Sequence, residues 1–414
     1  MGHEKLLANE TATIEYLATS LKSRLPRVIW FQNTPDHYFA NMLDELNALG
    51  GAEYVGLFFS PPPADSVLAR LPENSHCLFI GTGGVQQHAV GWSTRPMRPD
   101  AEKIIAAAVF DVAIVGGYDY PIKRWIIQHC RRLGRPVALF ADSNIHAEFD
   151  GTAKKALKRL AKRLLLRRII GNLDKVLCAN SSGVEYWKYY GSPASSLLIS
   201  TYYSDVCGAT LPDHSFRDGL LKRCGINTET IRDRRLLFTA ARLVPAKGLH
   251  LMISAYRQQD LAAKGWIWVV AGTGPLEAEL RQQAGELDNN GIYLVGVQPH
   301  DVVKGLAGQA EAFVLPSVYE PHGIVVSEAM GAGTPVIASD AAGAAIDLVE
   351  PGITGWLFRN GDAADLARVL KEATDDPHKL AAMRPACRAK FEDWYGRYSP
   401  LVVVPKLVAE LCGK

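Results

Sequence analysis

Read for apolar and polar alternation, the chain falls into two similar halves. After a 26-residue preamble, RVIWFQ reads as a buried strand and Asp36 to Leu49 as an amphipathic helix. YVGLFF follows the Gly50-Gly51 turn; then come CLFIG, DVAIVGG, a helix from Pro121 to Leu133, PVALFA, and KVLCAN with a helix behind it. Short runs rich in Val, Ile, Leu and Phe, alternating with helical stretches, predict parallel strands covered by helices on both faces. The segment from Ser204 to Arg235 is more polar and less periodic, and is the best linker candidate. The alternation then restarts with LLFTAA, a helix over Leu249 to Arg257, WIWVVAG, a helix through Glu277 to Leu287, IYLVG, AFVLPS and VIAS. Pro377 to Cys412 predicts helical pieces broken at Pro385, Pro400 and Pro405. The expected architecture is α/β, two doubly wound Rossmann-like sheets with an interdomain cleft. It divides as an N-terminal domain over 1–203, a linker over 204–235, a C-terminal domain over 236–393, and a helix over 394–414 that could cross back.

The length, 414 residues, suits two such domains better than one core. Apolar residues make 48% and charged residues 21%, which excludes a largely disordered chain. The formal net charge of +2 argues against a protein built wholesale for nucleic acid. Seven scattered cysteines without metal-ligand spacing point to a reducing compartment and no structural zinc. MGHEKLLANE lacks the apolar core of a signal peptide, and no apolar run reaches about 18 residues. A cytoplasmic protein, soluble or peripheral on the inner face of the plasma membrane, is expected.

The densest chemical signal is SVYEPHGIVVSEAMGAGTPVIAS over 317–339. A strand ends near Glu320-Pro321, and Gly323 opens a helix ending near Gly331. Gly323, Ile324 and Val325 would then aim free backbone N–H groups into the cleft at a positive dipole end, which suits a phosphate. Glu320 before that helix and Glu328 inside it could accept hydrogen bonds from sugar hydroxyls; the same acids also fit an ordinary capped helix. In TAARLVPAKG, Arg242 ends a strand and Lys247 precedes the next helix. Two cations there can neutralise a diphosphate leaving group, Arg as a fork and Lys as a point charge. Asp142, at the end of PVALFAD, faces the cleft and could orient an acceptor or a sugar hydroxyl, or serve as a turn residue. No Asp-x-Asp pair offers to hold a metal ion.

These segments, in this order, resemble retaining family 4 glycosyltransferases (glycosyl transferases group 1) of the GT-B fold, exopolysaccharide-type. The E-x7-E pair (Glu320, Glu328), the R-x4-K pair (Arg242, Lys247), AGTGPLEAEL and GAGTPVIAS carry the resemblance over about 235 to 360. It implies that Arg242 and Lys247 hold the diphosphate of a UDP- or GDP-sugar and Glu328 its ribose. Glu320 would touch the transferred sugar, Gly323 to Val325 would give backbone contacts, and Gly296-Val297 would face the base. His322, inside the motif, is the best of the histidines. The first domain would bind the acceptor, a sugar or lipid-linked hydroxyl, and no cofactor or metal is implied. Relatives often carry a Gly-Gly loop after the first strand, where this chain has Asn33-Thr34-Pro35-Asp36-His37. A nucleotide-sugar epimerase and a non-catalytic sugar- or lipid-binding relative are the alternatives.

One further segment stands out. Lys154, Lys155, Lys158, Arg159, Lys162, Arg163, Arg167 and Arg168 place eight cations over 154–168, with no acid between Asp150 and Asp174. Leu157, Leu160, Ala161, Leu164, Leu165 and Ile169 recur at helical spacing as an opposite stripe. Such a helix reads as an anionic-membrane element, as a seat for an anionic acceptor, or as a core-packed helix with a charged outer face.

Overall fold

Near-continuous apolar runs become strands buried on both faces. In a computed structural model, which describes residues 17, 25–33, 37–59, 77–80, 100–146, 153–204, 213–231, 233–285 and 291–413, they form two parallel sheets. The first contains β1 (Arg27–Gln32), β2 (Glu53–Phe58), β3 (Cys77–Phe79), β4 (Val112–Gly116), β5 (Val137–Ala141), β6 (Lys175–Cys178) and β7 (Leu197–Ile199). Its order is β3-β2-β1-β4-β5-β6-β7. Alternate residues serve opposite layers: Ile29 and Phe31 of β1 join one core, Val28 and Trp30 the other.

The second sheet holds β8 (Arg235–Ala240), β9 (Trp266–Ala271), β10 (Ile292–Leu294), β11 (Ala312–Leu315), β12 (Val336–Ser339) and β13 (Gly355–Phe358). Its order is β10-β9-β8-β11-β12-β13. Strand order reverses between β1 and β4 in one sheet and between β8 and β11 in the other. Ligands of open α/β sheets bind beyond the strand ends at such reversals. Arg242 and Ser317 follow β8 and β11 on one side of the cleft, and Asn33 and Gly117 follow β1 and β4 on the other.

The stretch expected as a linker is not one along its whole length. The helix His214–Arg223 lies inside it, and Leu220, Leu221, Ile226 and Ile231 are buried in the C-terminal core. Few apolar residues suffice because Asp213 caps the helix through Ser215 and Phe216. The end of the chain also differs from expectation. Pro385 and Pro405 lie inside the helices Pro377–Tyr398 and Pro400–Leu411, and only Ser399, just before Pro400, divides them. Burial of Met383, Cys387, Phe391 and Trp394 outweighs the helix penalty of Pro385, about 3 kcal/mol. The division therefore falls at Ser399 rather than 394, and beyond it Val404, Leu407 and Val408 pack into the N-terminal core. The helix Glu277–Ala284 ends short of Leu287, which lies outside the described residues.

The basic helix, Ala153–Ile170, corrects a third expectation. Its leucine stripe faces outward: Leu160, Leu164 and Leu165 are 58%, 65% and 41% exposed. Leu166 and Ile169 are the residues that anchor it to the core. Arg159 and Lys162 share the Leu166 face, being seven and four residues earlier on the helix. Each leucine left in water forgoes about 1.5–3 kcal/mol of burial. The side chains of Lys154, Lys155, Leu157 and Lys158 lie outside the described residues. Among the described residues no helix is long and apolar enough to cross a membrane.

Candidate active site

The loop after β8 and the turn after β11 are locked together by backbone geometry. Gly248 has φ +60°, and a Cβ there would stand 2.1 Å from the Pro316 carbonyl oxygen. Val318 and Tyr319 N–H groups both donate to the Ala246 carbonyl, at 2.9 and 3.1 Å. This close approach puts the Lys247 ammonium against the Glu320 carboxylate in a mostly buried ion pair. Ser317 Oγ donates to the same carboxylate oxygen at 3.4 Å. Gly323, at φ +87°, turns the chain into the helix Ile324–Gly331, so Glu320 lies just before a positive helix end. Arg242, five residues before Lys247 in the same loop, is exposed, with no ion-pair partner among the described residues and no place in the lining of either cavity described below.

The N-terminal domain grips the Glu320 turn through amides. Asn144 Nδ2 donates to the carbonyls of Glu320 (3.1 Å) and Ala341 (2.8 Å). Asn180 Nδ2 donates to the Pro321 carbonyl at 2.9 Å and faces His322 Nδ1 at 3.3 Å. Because Asn180 Oδ1 accepts from the Gly183 N–H, its amide orientation is fixed, and His322 Nδ1 must accept. The ring proton then sits on Nε2, toward Thr201 Oγ1 at 3.4 Å. Burial pushes the His322 pKa down to about 3, so the imidazole is a neutral strut between domains. Ser181 adds a second clamp, donating from both N–H and Oγ to Asp347. Farther along the cleft the Tyr38 hydroxyl donates to Glu328 and meets His300 Nε2, which lies 3.8 Å from the same carboxylate.

Two cavities line this seam. One of about 430 Å³ is bordered by Tyr38, Tyr202, Glu320, His322, Gly323 and Ile324. The other, about 760 Å³, lies in the N-terminal wall against Asp119, Lys123, Asp142, Arg159, Lys162 and Tyr186. Gln32, Phe140, Asp142, Tyr202 and Pro321 border both, so the two form one space. Water reaches Asp142 from the cleft, yet protein surrounds it on most sides, and this crowding raises its carboxyl pKa. Tyr202 donates to it at 3.3 Å, which opposes the rise, and the charge of Glu320 adds to it. Lys123 is fully buried, bonded to the Gly116 carbonyl and to Asp119 at 2.7 Å. Burial lowers its pKa while Asp119 opposes the drop.

Residues 227–390 match the family described as glycosyl transferases group 1, over the loop and turn that carry the Lys247–Glu320 pair. The C-terminal domain belongs to glycosyl transferases group 1. The amylovoran biosynthesis glycosyltransferase AmsK of Erwinia amylovora is 30% identical over 169 residues, 39% of this chain and 41% of that protein. The GDP-mannose-dependent monoacylated alpha-(1-6)-phosphatidylinositol monomannoside mannosyltransferase of Corynebacterium glutamicum is 35% identical over 37% of this chain and 42% of its own. The matched stretch thus spans about two fifths of the length of these relatives. Among solved structures, Anabaena HepE in complex with UDP and glucose superposes with TM-score 0.66 at 18% identity, covering 94% of this chain and 99% of its own. Sucrose-phosphate synthase from Thermosynechococcus elongatus gives 0.67 at 17% identity, covering 94% and 99%. Both sheets together therefore have the GT-B fold.

Within the group 1 domain, the structure gathers Lys247, Glu320, Gly323 and Ile324 at one end of the cleft, with Val325 one residue further along the helix. Glu328 lies with Tyr38 and His300. Val297 is 62% exposed beyond β10 and borders neither cavity described above. His322 lines the smaller cavity but spends both ring nitrogens on the N-terminal domain. Thr34 to Asp36 and the side chain of His37 lie outside the described residues. Sequence reading missed Tyr38, Asn144, Asn180, His300 and the Lys123–Asp119 pair. The one usable signal was the placement of Asn144 and Asn180 just beyond strand ends, in PVALFADSN and KVLCAN.

Proposed function

We propose that this protein is a retaining glycosyltransferase moving a hexose-type unit from a nucleoside diphosphate sugar to an acceptor hydroxyl, without a metal ion. The observation that carries it is the Lys247–Glu320 pair at the start of the helix Ile324–Gly331. The anomeric carbon would part from its diphosphate oxygen while the acceptor oxygen bonds to the same face. The acceptor's proton would pass to the departing phosphate oxygen. Arg242, Lys247 and the helix end would stabilise the leaving group, which is where charge develops. Glu320 would fix sugar hydroxyls, and Asp142 would orient the acceptor. Relatives named for GDP-mannose and for polysaccharide synthesis, and fold neighbours holding UDP, support a nucleotide-sugar donor and a place in cell-surface polysaccharide or glycolipid assembly.

The test is nucleotide-sugar hydrolysis and transfer, assayed with and without EDTA, with the anomeric configuration of the product read by NMR. Cleavage that persists in EDTA and an α-product from an α-donor are expected. Complete, metal-reversible loss would refute the metal-free donor site. The outer face of the basic helix, where Leu160 and Leu164 lie beside Arg163, Arg167 and Arg168, favours a peripheral position on an anionic membrane. Salt-sensitive sedimentation with anionic but not neutral vesicles is the expected result.

A further inference from the structure

The basic helix holds two of its cations, Arg159 and Lys162, half-buried. Leu166 and Ile169 fix which face meets the core, and that face carries Arg159 and Lys162 into the larger cavity while Leu160 and Leu164 stay in water. Packing alone favours the opposite rotation, leucines inward and cations outward. Lys162 Nζ stands over the rings of Tyr186 and Tyr190, 4.9 and 5.7 Å from their centroids, which holds it at the cavity wall. Lys123, which borders the same cavity, forms an ion pair with Asp119. Asp142 borders this cavity where it meets the smaller one lined by Glu320.

We propose that Arg159 and Lys162 form an oxyanion seat for the acceptor, whose phosphate ester or carboxylate rests between them while its hydroxyl reaches Asp142. A guanidinium fork and an ammonium on one helix face, one turn apart, suit a group with several acceptor oxygens. The word acceptor rests on the glycosyl-transfer reading; the seat itself rests on the cavity and the helix.

The experiment measures binding of n-octyl phosphate, n-octyl glucuronide and uncharged n-octyl glucoside to the full chain by calorimetry. The charged probes should bind about tenfold or more tightly than the glucoside, and more so at low salt. Preference for the phosphate alone, the glucuronide alone, or both then names the anion. Arg159→Gln/Lys162→Gln should erase the preference, and Lys162→Arg should keep it, with melting curves reporting the fold of each. Equal affinity for all three probes, or a preference that survives Arg159→Gln/Lys162→Gln, would overturn the seat. So would a preference lost instead in Arg163→Gln/Arg167→Gln/Arg168→Gln, because the anion would then sit on the outer face. Wild-type hydrolysis of nucleotide sugar is measured in parallel. Its absence beside an intact charge preference would refute glycosyl transfer and still support the seat.

Discussion

The two walls of the cleft are built in opposite ways. The wall proposed for the donor comes from two short stretches, 242–248 and 317–328, stitched by backbone bonds, and its central carboxylate is already paired with Lys247. The wall proposed for the acceptor collects Asn33, Asp119, Asp142 and Lys162 from four separate stretches around an open space of about 760 Å³. A prepaired, backbone-held site suits a ligand part shared by many enzymes, such as a diphosphate. A roomy wall of side chains suits the part that varies. Under the proposed reaction the contrast also separates binding from specificity: one wall would stabilise charge, and the other would choose what receives the sugar.

The contrast breaks most readily on the donor wall. Arg242→Ala and Lys247→Ala should each cost about 2–5 kcal/mol of transition-state stabilisation, or roughly 30- to several-thousand-fold in kcat/KM. Nucleotide affinity should fall with them, whereas Asp142→Asn should slow transfer with nucleotide affinity intact. If Asp142→Asn weakens nucleotide binding as much as Lys247→Ala does, the two walls do not divide the work.

The strut between the walls gives the next effect. His322 is neutral in the fold, with a pKa near 3 against 6.5 in an unfolded chain. Its contribution to stability is complete above pH 6.5 and is lost as pH falls toward 3, because only the unfolded chain takes the proton. The loss at pH 5 should be about 2 kcal/mol. Urea melts at pH 7 and pH 5 should therefore diverge more for the wild type than for His322→Gln. Equal divergence would mean that the imidazole is not shielded in the seam.

The smallest effect concerns Tyr38, whose hydroxyl donates to the Glu328 carboxylate from the N-terminal domain. If Glu328 takes the ribose, that phenol competes with the donor. Tyr38→Phe should then tighten UDP or GDP binding by about 0.5–1.5 kcal/mol, or roughly two- to tenfold, in a titration. Weaker binding would make Tyr38 part of the nucleotide site instead.

The parts of the proposed donor wall could be marked in the sequence because they are local. The spacing of Arg242 to Lys247 and of Glu320 to Glu328 fixes their places on a strand end and a helix start, whatever surrounds them. No local spacing marks Tyr38 with His300, whose partnership spans 262 residues of chain. Nor does one mark Asn144 or Asn180, since an amide after a strand looks like any turn residue until the opposite domain presents a carbonyl.

Strand runs, helix periodicity and the paired motifs were thus determined by the sequence itself, through side-chain alternation and local backbone geometry. The tertiary structure alone decided the rest. It set the rotation of the helix Ala153–Ile170, where anchoring by Leu166 and Ile169 overrode a stripe of exposed leucines. It folded Leu220 and Leu221 into the second core, and returned Val404, Leu407 and Val408 to the first. The physical reason is common to all three. Periodicity says which residues share a face, but the direction in which that face turns depends on which distant surface has apolar area left to cover.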